Sequence, residues 1–385
     1  MRIRAHRKIL AIAIVALAVV TAGAAAFVVA QPFAIAQATP SASPSLEAST
    51  SPSQSASPEE SLSPSPMDTT EPSPTPSSLP ADWAYADLDG VAAPQAAAHR
   101  LPMAIMVDDN AVARPQSGIS SASIVYQAYA DGGEDRYMFV FQEGTATDIG
   151  PVRSARPYYV SWVDEYKALY GHFGGDANSL RVVIPANAKN IYNMDDLNGG
   201  ACPYHRIDTR AAPHNAYTNT AALISCAAQK GYPATFQKLP TRTFKDDMPI
   251  AQRPASQTVS ITYRTGIVGY QFDPASDSYL RLIGGAPEVD PANGNNVYAR
   301  TVVIMYQVYG NDPNALDEAS RPYVFNVGSG KATIFMEGQA ITATWKKTST
   351  TALTRFYDSS GQEIPFVRGE IFMQSIPTGT AVSVK

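Results

Sequence analysis

Arg153 and Arg156 bracket a serine in "IGPVRSARPYYV", residues 149–160, between a Gly-Pro and a Pro-Tyr-Tyr. Arginine's planar fork pairs with carboxylate or phosphate through two parallel hydrogen bonds. Two such groups in so constrained a stretch point to an anion. Polar residues in neighbouring blocks extend the candidate ligand-binding set to Asp108, Asn110, Arg114, Gln116, Arg136, Arg153, Ser154, Arg156, His172, Arg206, His214 and Asn215. They come from several loops and strand ends, as a site on a rigid scaffold often does. In one reading Arg153 and Arg156 meet an external anion, flanked by His172 and His214. In the other, these arginines pair with Asp108, Asp109 or Asp131 and fix the loops.

Residue type allows three further chemistries. His172, Asp176, His205 and His214 can ligate zinc, but their spacing matches no tight signature, so no metal and no cofactor is assigned. Ser154 beside a histidine is a possible nucleophile, yet no G-x-S-x-G surrounds it. A loop hydroxyl bonded to backbone is its simpler role. Asp108 with Glu134 would suit glycoside cleavage, but nothing in the sequence fixes their separation. No catalytic residue is assigned. Tyr158, Tyr159, Trp162 and Tyr170 offer either a sugar-stacking surface or, as expected here, a helix packed on a sheet with half-buried tyrosines.

The elements that must position these residues follow from pattern. "PMAIMVDDN" (102–110) predicts a buried strand ending in acidic loop residues. "SIVYQAYADGGEDRYMFVFQEG" (123–144) predicts two strands around a Gly-Gly turn. Tyr159, Trp162, Val163, Tyr166 and Leu169 recur at helical spacing. Pro157 suits the first helical position, and Arg156 before it should stay extended. Gly150 to Arg156 is then a loop feeding a helix amino terminus, where unpaired N–H groups add partial positive charge. "LYGHFGG" (169–175) predicts a strand entering a glycine turn. "TNTAALISCAAQKG" (218–231) predicts a helix capped by Thr220 and stopped at Gly231. From residue 258, short strand-like runs split by Gly, Asn, Asp and Pro predict antiparallel β structure, with Trp345 and Phe356 in its core. The fold class is α+β: an N-terminal α/β domain with a mixed sheet (83–250), then a mainly antiparallel β domain (251–385).

The remaining chain carries localisation. Residues 1–8 hold four basic side chains, and residues 9–30 hold no charge. A stretch that long can span a bilayer with its basic flank in the cytoplasm. "AIAQA" (34–38) also offers a cleavage site, so anchored and secreted forms both stay open. Residues 31–82 are a Ser/Pro-rich linker; 14 of the 41 residues from 40 to 80 are Ser and 10 are Pro, too polar to bury a core. Four of the 29 Lys and Arg precede residue 9, and all 34 Asp and Glu follow it, so the exported part carries −9. That argues against nucleic acid as a partner, since nucleic acid needs a positive surface. The only cysteines are Cys202 and Cys226; export makes a disulfide between them plausible, with free thiols or a nucleophilic Cys202 as alternatives.

"ARPQSG" (113–118), "IVYQAYADGGEDRY" (124–137), "IGPVRSARPYYV" (149–160), "YKALYGHFGG" (166–175) and "APHNAYT" (212–218) together resemble the YerB-like family of bacterial envelope proteins, a two-domain family of unknown function. "VGSGKATIFMEGQAITATWKK" (327–347) and "FYDSSGQEIPFVRGE" (356–370) resemble its second domain. The resemblance implies an exported, membrane-tethered protein, often carried on a lipobox cysteine. No cysteine precedes Cys202 here, so residues 9–30 must do that work. Glu134-Asp135 and Asp176 also depart from the family's pattern, which puts the ligand preference in question. The expectation is an envelope protein whose N-terminal domain binds an anionic wall component or a wall-synthesis partner. The alternative is a hydrolase or a phosphoryl or glycosyl transferase using the same residues.

Overall fold

The structure, a computed structural model, describes residues 79–195, 197, 204–235, 239–317 and 321–385. The anchor, most of the linker and Cys202 lie outside them. All described residues belong to one compact unit.

Three strands form the centre: β1 (Met103–Asp108), β2 (Ile124–Tyr129) and β3 (Asp135–Phe141), buried at every position. Such near-continuous apolar runs are what a sheet covered on both faces requires. β2 and β3 make the expected antiparallel hairpin. Its turn places Gly132 and Gly133 at φ +69° and +81°, where a side chain would be strained. Helix α1 (Pro157–Tyr166) starts at its proline, with Arg156 extended at φ −139°, ψ 144°. Then come β4 (Leu169–His172), β5 (Tyr192–Asp195), β6 (His205–Arg206), β7 (Ala216–Tyr217) and helix α2 (Thr220–Gln229). The cap of α2 is Asn219 rather than Thr220: Asn219 Oδ1 accepts from the Ala222 N–H at 2.8 Å. Thr220 instead hydrogen-bonds the Ala146 backbone. Gly231 follows the helix at φ +70°.

The later half supplies two sets of strands. β8 (Thr258–Tyr263), β9 (Gly266–Asp273) and β10 (Ser278–Ile283) form an antiparallel sheet, closed at one side by the terminal strand Val382–Val384. β11 (Thr301–Asn311), β12 (Gly328–Met336), β13 (Gln339–Lys347) and β14 (Arg355–Tyr357) run antiparallel to one another. β15 (Ile371–Pro377) departs from that pattern. It lies parallel to β11 on one side and parallel to β2 on the other. The result is one mixed sheet ordered β14-β13-β12-β11-β15-β2-β3-β1-β4-β5, built from both halves of the chain.

Alternation along the central strands separates two cores. Ala104, Met106, Tyr126, Met138 and Val140 face α1 and pack with Tyr159, Trp162, Val163 and Tyr166. Ile105, Val107, Val125 and Phe139 face the second sheet and pack with Ile261, Tyr270 and Tyr279, and with Leu223 of α2. Each fully buried side chain of this size contributes roughly 1.5–3 kcal/mol. The α1 tyrosines are buried outright rather than half-buried. The Tyr158 hydroxyl donates to Tyr129 O at 2.7 Å, and Trp162 stacks on Tyr126 at 4.9 Å. They are core, not a sugar platform. Trp345 and Phe356 are core as expected.

One buried ion pair ties α1 to the later strands. Lys347 Nζ lies 2.8 Å from Glu165 Oε1, with neither side chain exposed. Lys347 also donates to the Ser161, Thr350 and Ala352 carbonyls. Glu165 accepts from Thr354 N–H at 3.0 Å and Thr354 Oγ1 at 2.6 Å. Cys226, at the buried face of α2, is disulfide-bonded.

Candidate functional site

The loop before α1 is woven into the sheet edge. Asp108 N–H donates to Pro151 O at 2.9 Å, and Arg153 N–H to Met106 O at 2.9 Å. On its other side Val152 N–H reaches Ala216 O, Phe173 N–H reaches Arg153 O, and Ala155 N–H reaches Gly174 O. Gly150 is needed for this threading. A Cβ there would stand 2.9 Å from the Ala216 carbonyl and 2.7 Å from the Tyr217 ring. Ser154 donates its hydroxyl to Phe173 O at 3.2 Å, the loop role anticipated for it.

Residues 153 and 156 are thereby set beside the start of α1, next to the paired ends of β1 and β3. There Asp108 and Arg136 are cross-strand neighbours. Arg153 Nε stands 3.0 Å from Asp108 Oδ2, an ion pair without the alignment of a hydrogen bond. Arg156 donates to Ala155 O at 2.6 Å and pairs with Asp131, which also accepts from Arg321 Nη1 at 3.2 Å. Arg321 in turn pairs with Asp317. Arg136 is different. It is 1% exposed, donates from Nη1 to Ser154 O at 3.2 Å, and leaves Nε without a partner. Among the described residues no acid pairs with it. Burial, and then the charges of Arg156 and Arg153, press its pKa down. A buried cation of this kind is costly unless something neutralises it.

Asp131 shows the converse. Burial opposes its charge, but Arg156, aided by Arg136 and Arg321, holds the carboxyl below its ordinary 3.8. A depressed folded-state value contributes stability above the unfolded pKa and loses it as pH falls through the folded one. The melting temperature should therefore drop more steeply on acidification, over about pH 5 to 2, than in Asp131→Asn. Identical acid limbs would contradict the assignment.

Histidine completes the cluster. His214 Nδ1 lies 2.6 Å from Asp108 Oδ2, the oxygen that also faces Arg153. The neighbouring Asn215 accepts from Arg206 Nη1 at 2.5 Å and donates to Ile207 O. The Arg206 guanidinium covers the Phe173 ring at 4.8 Å.

The other candidates are placed elsewhere. Arg114 and Gln116 turn to Asp109, on the side of the second sheet, and Arg114 also binds Thr265. Asn110 caps the turn at Val112 and binds Glu134. That spends Glu134 on Asn110, while Asp108 is engaged by Arg153 and His214, so these two carboxylates do not face an open cleft as a pair. His172 is fully buried, with Nδ1 on Gly174 O at 2.8 Å and Nε2 on Asn193 at 2.7 Å. Both ring nitrogens are thus engaged inside the fold, where the residue holds the glycine turn. Asp176 accepts from Ser179, and His205 stands on the surface 3.9 Å from Asp148. These residues and His214 do not converge as a ligand set. Arg321, from the later half, had no signal in the sequence. A hollow of about 1000 Å³ lies against β11–β13, lined by Tyr306, Phe325, Lys331 and Trp345 among others, with no acid, arginine or histidine in its wall.

Residues 88–233 match the N-terminal domain of the family described as "Protein of unknown function (DUF3048)", and residues 259–373 match its C-terminal domain. The chain belongs to the DUF3048 family. Within that family's range, it is similar to "Putative lipoprotein YerB" of Bacillus subtilis (strain 168), 28% identical over 305 residues, covering 78% of this chain and 88% of that one. The crystal structure of Bacillus subtilis YerB has a TM-score of 0.69 and 26% identity, covering 78% of this chain and 99% of that chain. The YerB-like resemblance and the α+β, two-part DUF3048 architecture both hold. No described helix is long and apolar enough to cross a membrane; residues 9–30 lie outside the described ones.

Proposed function

We propose that this DUF3048 protein is extracytoplasmic and membrane-tethered, and binds the anionic group of an envelope component at Arg136, Arg153 and Arg156. Two observations support the location: the uncharged segment 9–30 and a relative named as a lipoprotein. The observation that carries the binding is Arg136: buried, with one backbone acceptor and no acid partner among the described residues. An anion among three guanidiniums would supply that missing countercharge, and each charge-assisted bond is worth about 1.5–3 kcal/mol. Access runs through Arg153 and His214, whose side chains are 19% and 17% exposed.

The test is a phosphate titration of the full-length protein in mild detergent, read as melting temperature. A ligand at 100 times its Kd stabilises by about 2.7 kcal/mol. Phosphate should raise the melting temperature of the parent at constant ionic strength, and Arg153→Gln should lose most of that rise. A parent protein indifferent to phosphate would sink the proposal.

A further inference from the structure

We propose that His214 and Asp108 form a proton-transfer pair, so that the arginine site hydrolyses a phosphodiester. This rests on the anion reading above and deepens it. Asp108 is fully buried, and its Oδ2 is shared by His214 Nδ1 at 2.6 Å and Arg153 Nε at 3.0 Å. A carboxylate on Nδ1 keeps the proton there and leaves the lone pair on Nε2. The backbone that carries the ring is fixed: the His214 backbone N–H donates to Ala211 O at 3.0 Å, and the adjacent Asn215 accepts from Arg206. The other described histidines differ. His172 has both nitrogens engaged inside the fold, and His99 and His205 are about half exposed beside surface aspartates. His214 alone among them joins a buried carboxylate to an arginine cluster and still reaches solvent.

Charge selects the substrate class. Arg153 faces Asp108, Arg156 and Arg321 share Asp131, and Arg321 also pairs with Asp317. Arg136 is the guanidinium of the cluster with no acid in contact among the described residues, and the single charge of a diester monoanion suits it. His214 Nε2 takes a proton from water as the water oxygen bonds to phosphorus. The phosphorus–oxygen bond to the alkoxide on the opposite side breaks, that oxygen takes a proton from solvent water, and Nε2 returns its proton to the hydroxide so formed. Diester and water become monoester and alcohol. The guanidiniums neutralise charge growing on the non-bridging oxygens.

The full-length protein in mild detergent is assayed with bis(p-nitrophenyl) phosphate and with p-nitrophenyl phosphate, alongside the phosphate melting shift. The diester should be cleaved in preference to the monoester. His214→Ala and His214→Gln should lower that rate about 10²–10⁴-fold yet keep the phosphate shift, and His99→Ala should change neither. Phosphatidylglycerol vesicles and soluble poly(glycerol phosphate) then distinguish a lipid from a wall-polymer source by which one releases product. A phosphate shift without diester cleavage overturns hydrolysis and leaves binding standing. Loss of the shift itself overturns the binding proposal. Preference for the monoester overturns the substrate class, and full activity in both His214 variants overturns the residue's role.

Discussion

Arg136→Met is expected to leave the unliganded protein as stable as the parent, or more stable by about 0–2 kcal/mol, while removing its response to phosphate. A buried cation that no acid neutralises is costly, so an apolar side chain of similar length removes that cost. Arg136 donates one hydrogen bond, to Ser154 O at 3.2 Å, and sits beside two like charges. Losing one charge-assisted contact should weaken phosphate binding about 10–100-fold. Chemical denaturation and phosphate titration of both proteins measure the two effects separately. A variant destabilised by several kcal/mol that still answers phosphate would make Arg136 a structural cation and end the binding proposal.

Lys347→Met carries the largest stability effect, a loss of about 3–5 kcal/mol. The substitution strips Glu165 of its cationic partner in contact among the described residues and leaves a carboxylate with no exposure and, among those residues, Thr354 as donor. Three backbone carbonyls around the ammonium lose their donor as well. The melting temperature should fall by roughly 5–15 °C. Adding Glu165→Gln should restore much of the loss, because the uncompensated charge is then gone. A single variant within 1 °C of the parent would refute this account.

Local features were legible because their causes are local. The DGG hairpin, the proline at the first position of α1 and the extended Arg156 each follow from one or two residues' backbone limits. The cap of α2 was misplaced by one residue, since Asn219 and Thr220 both cap well. The site was legible in part. Arg136, Arg153, Arg156, His214 and Asp108 do gather. Their acid partners Asp108 and Asp131 belonged to the internal-pairing alternative, and that alternative describes Arg153 and Arg156 well. Arg114 and Gln116 separated from the cluster because Asp108 and Asp109 turn to different sides of the sheet, a choice set by which face each layer covers. His172 looked available only because sequence cannot show that Asn193 reaches it. Arg321 and the placement of β15 depend on contacts far apart along the chain, for which periodicity holds no signal.

That placement of β15 bears on how this architecture can be divided. A fragment ending near residue 250 would keep β2 but lose the neighbour that satisfies the backbone amides and carbonyls of Ile124–Gln127. It would present a bare, apolar edge of the type that recruits other chains into aggregates. The complementary fragment would carry β15 with nothing to pair along its other border. The parallel ladder makes each half the other's solubilising cover, so inheritance, expression and degradation should treat the two as a single cooperative unit.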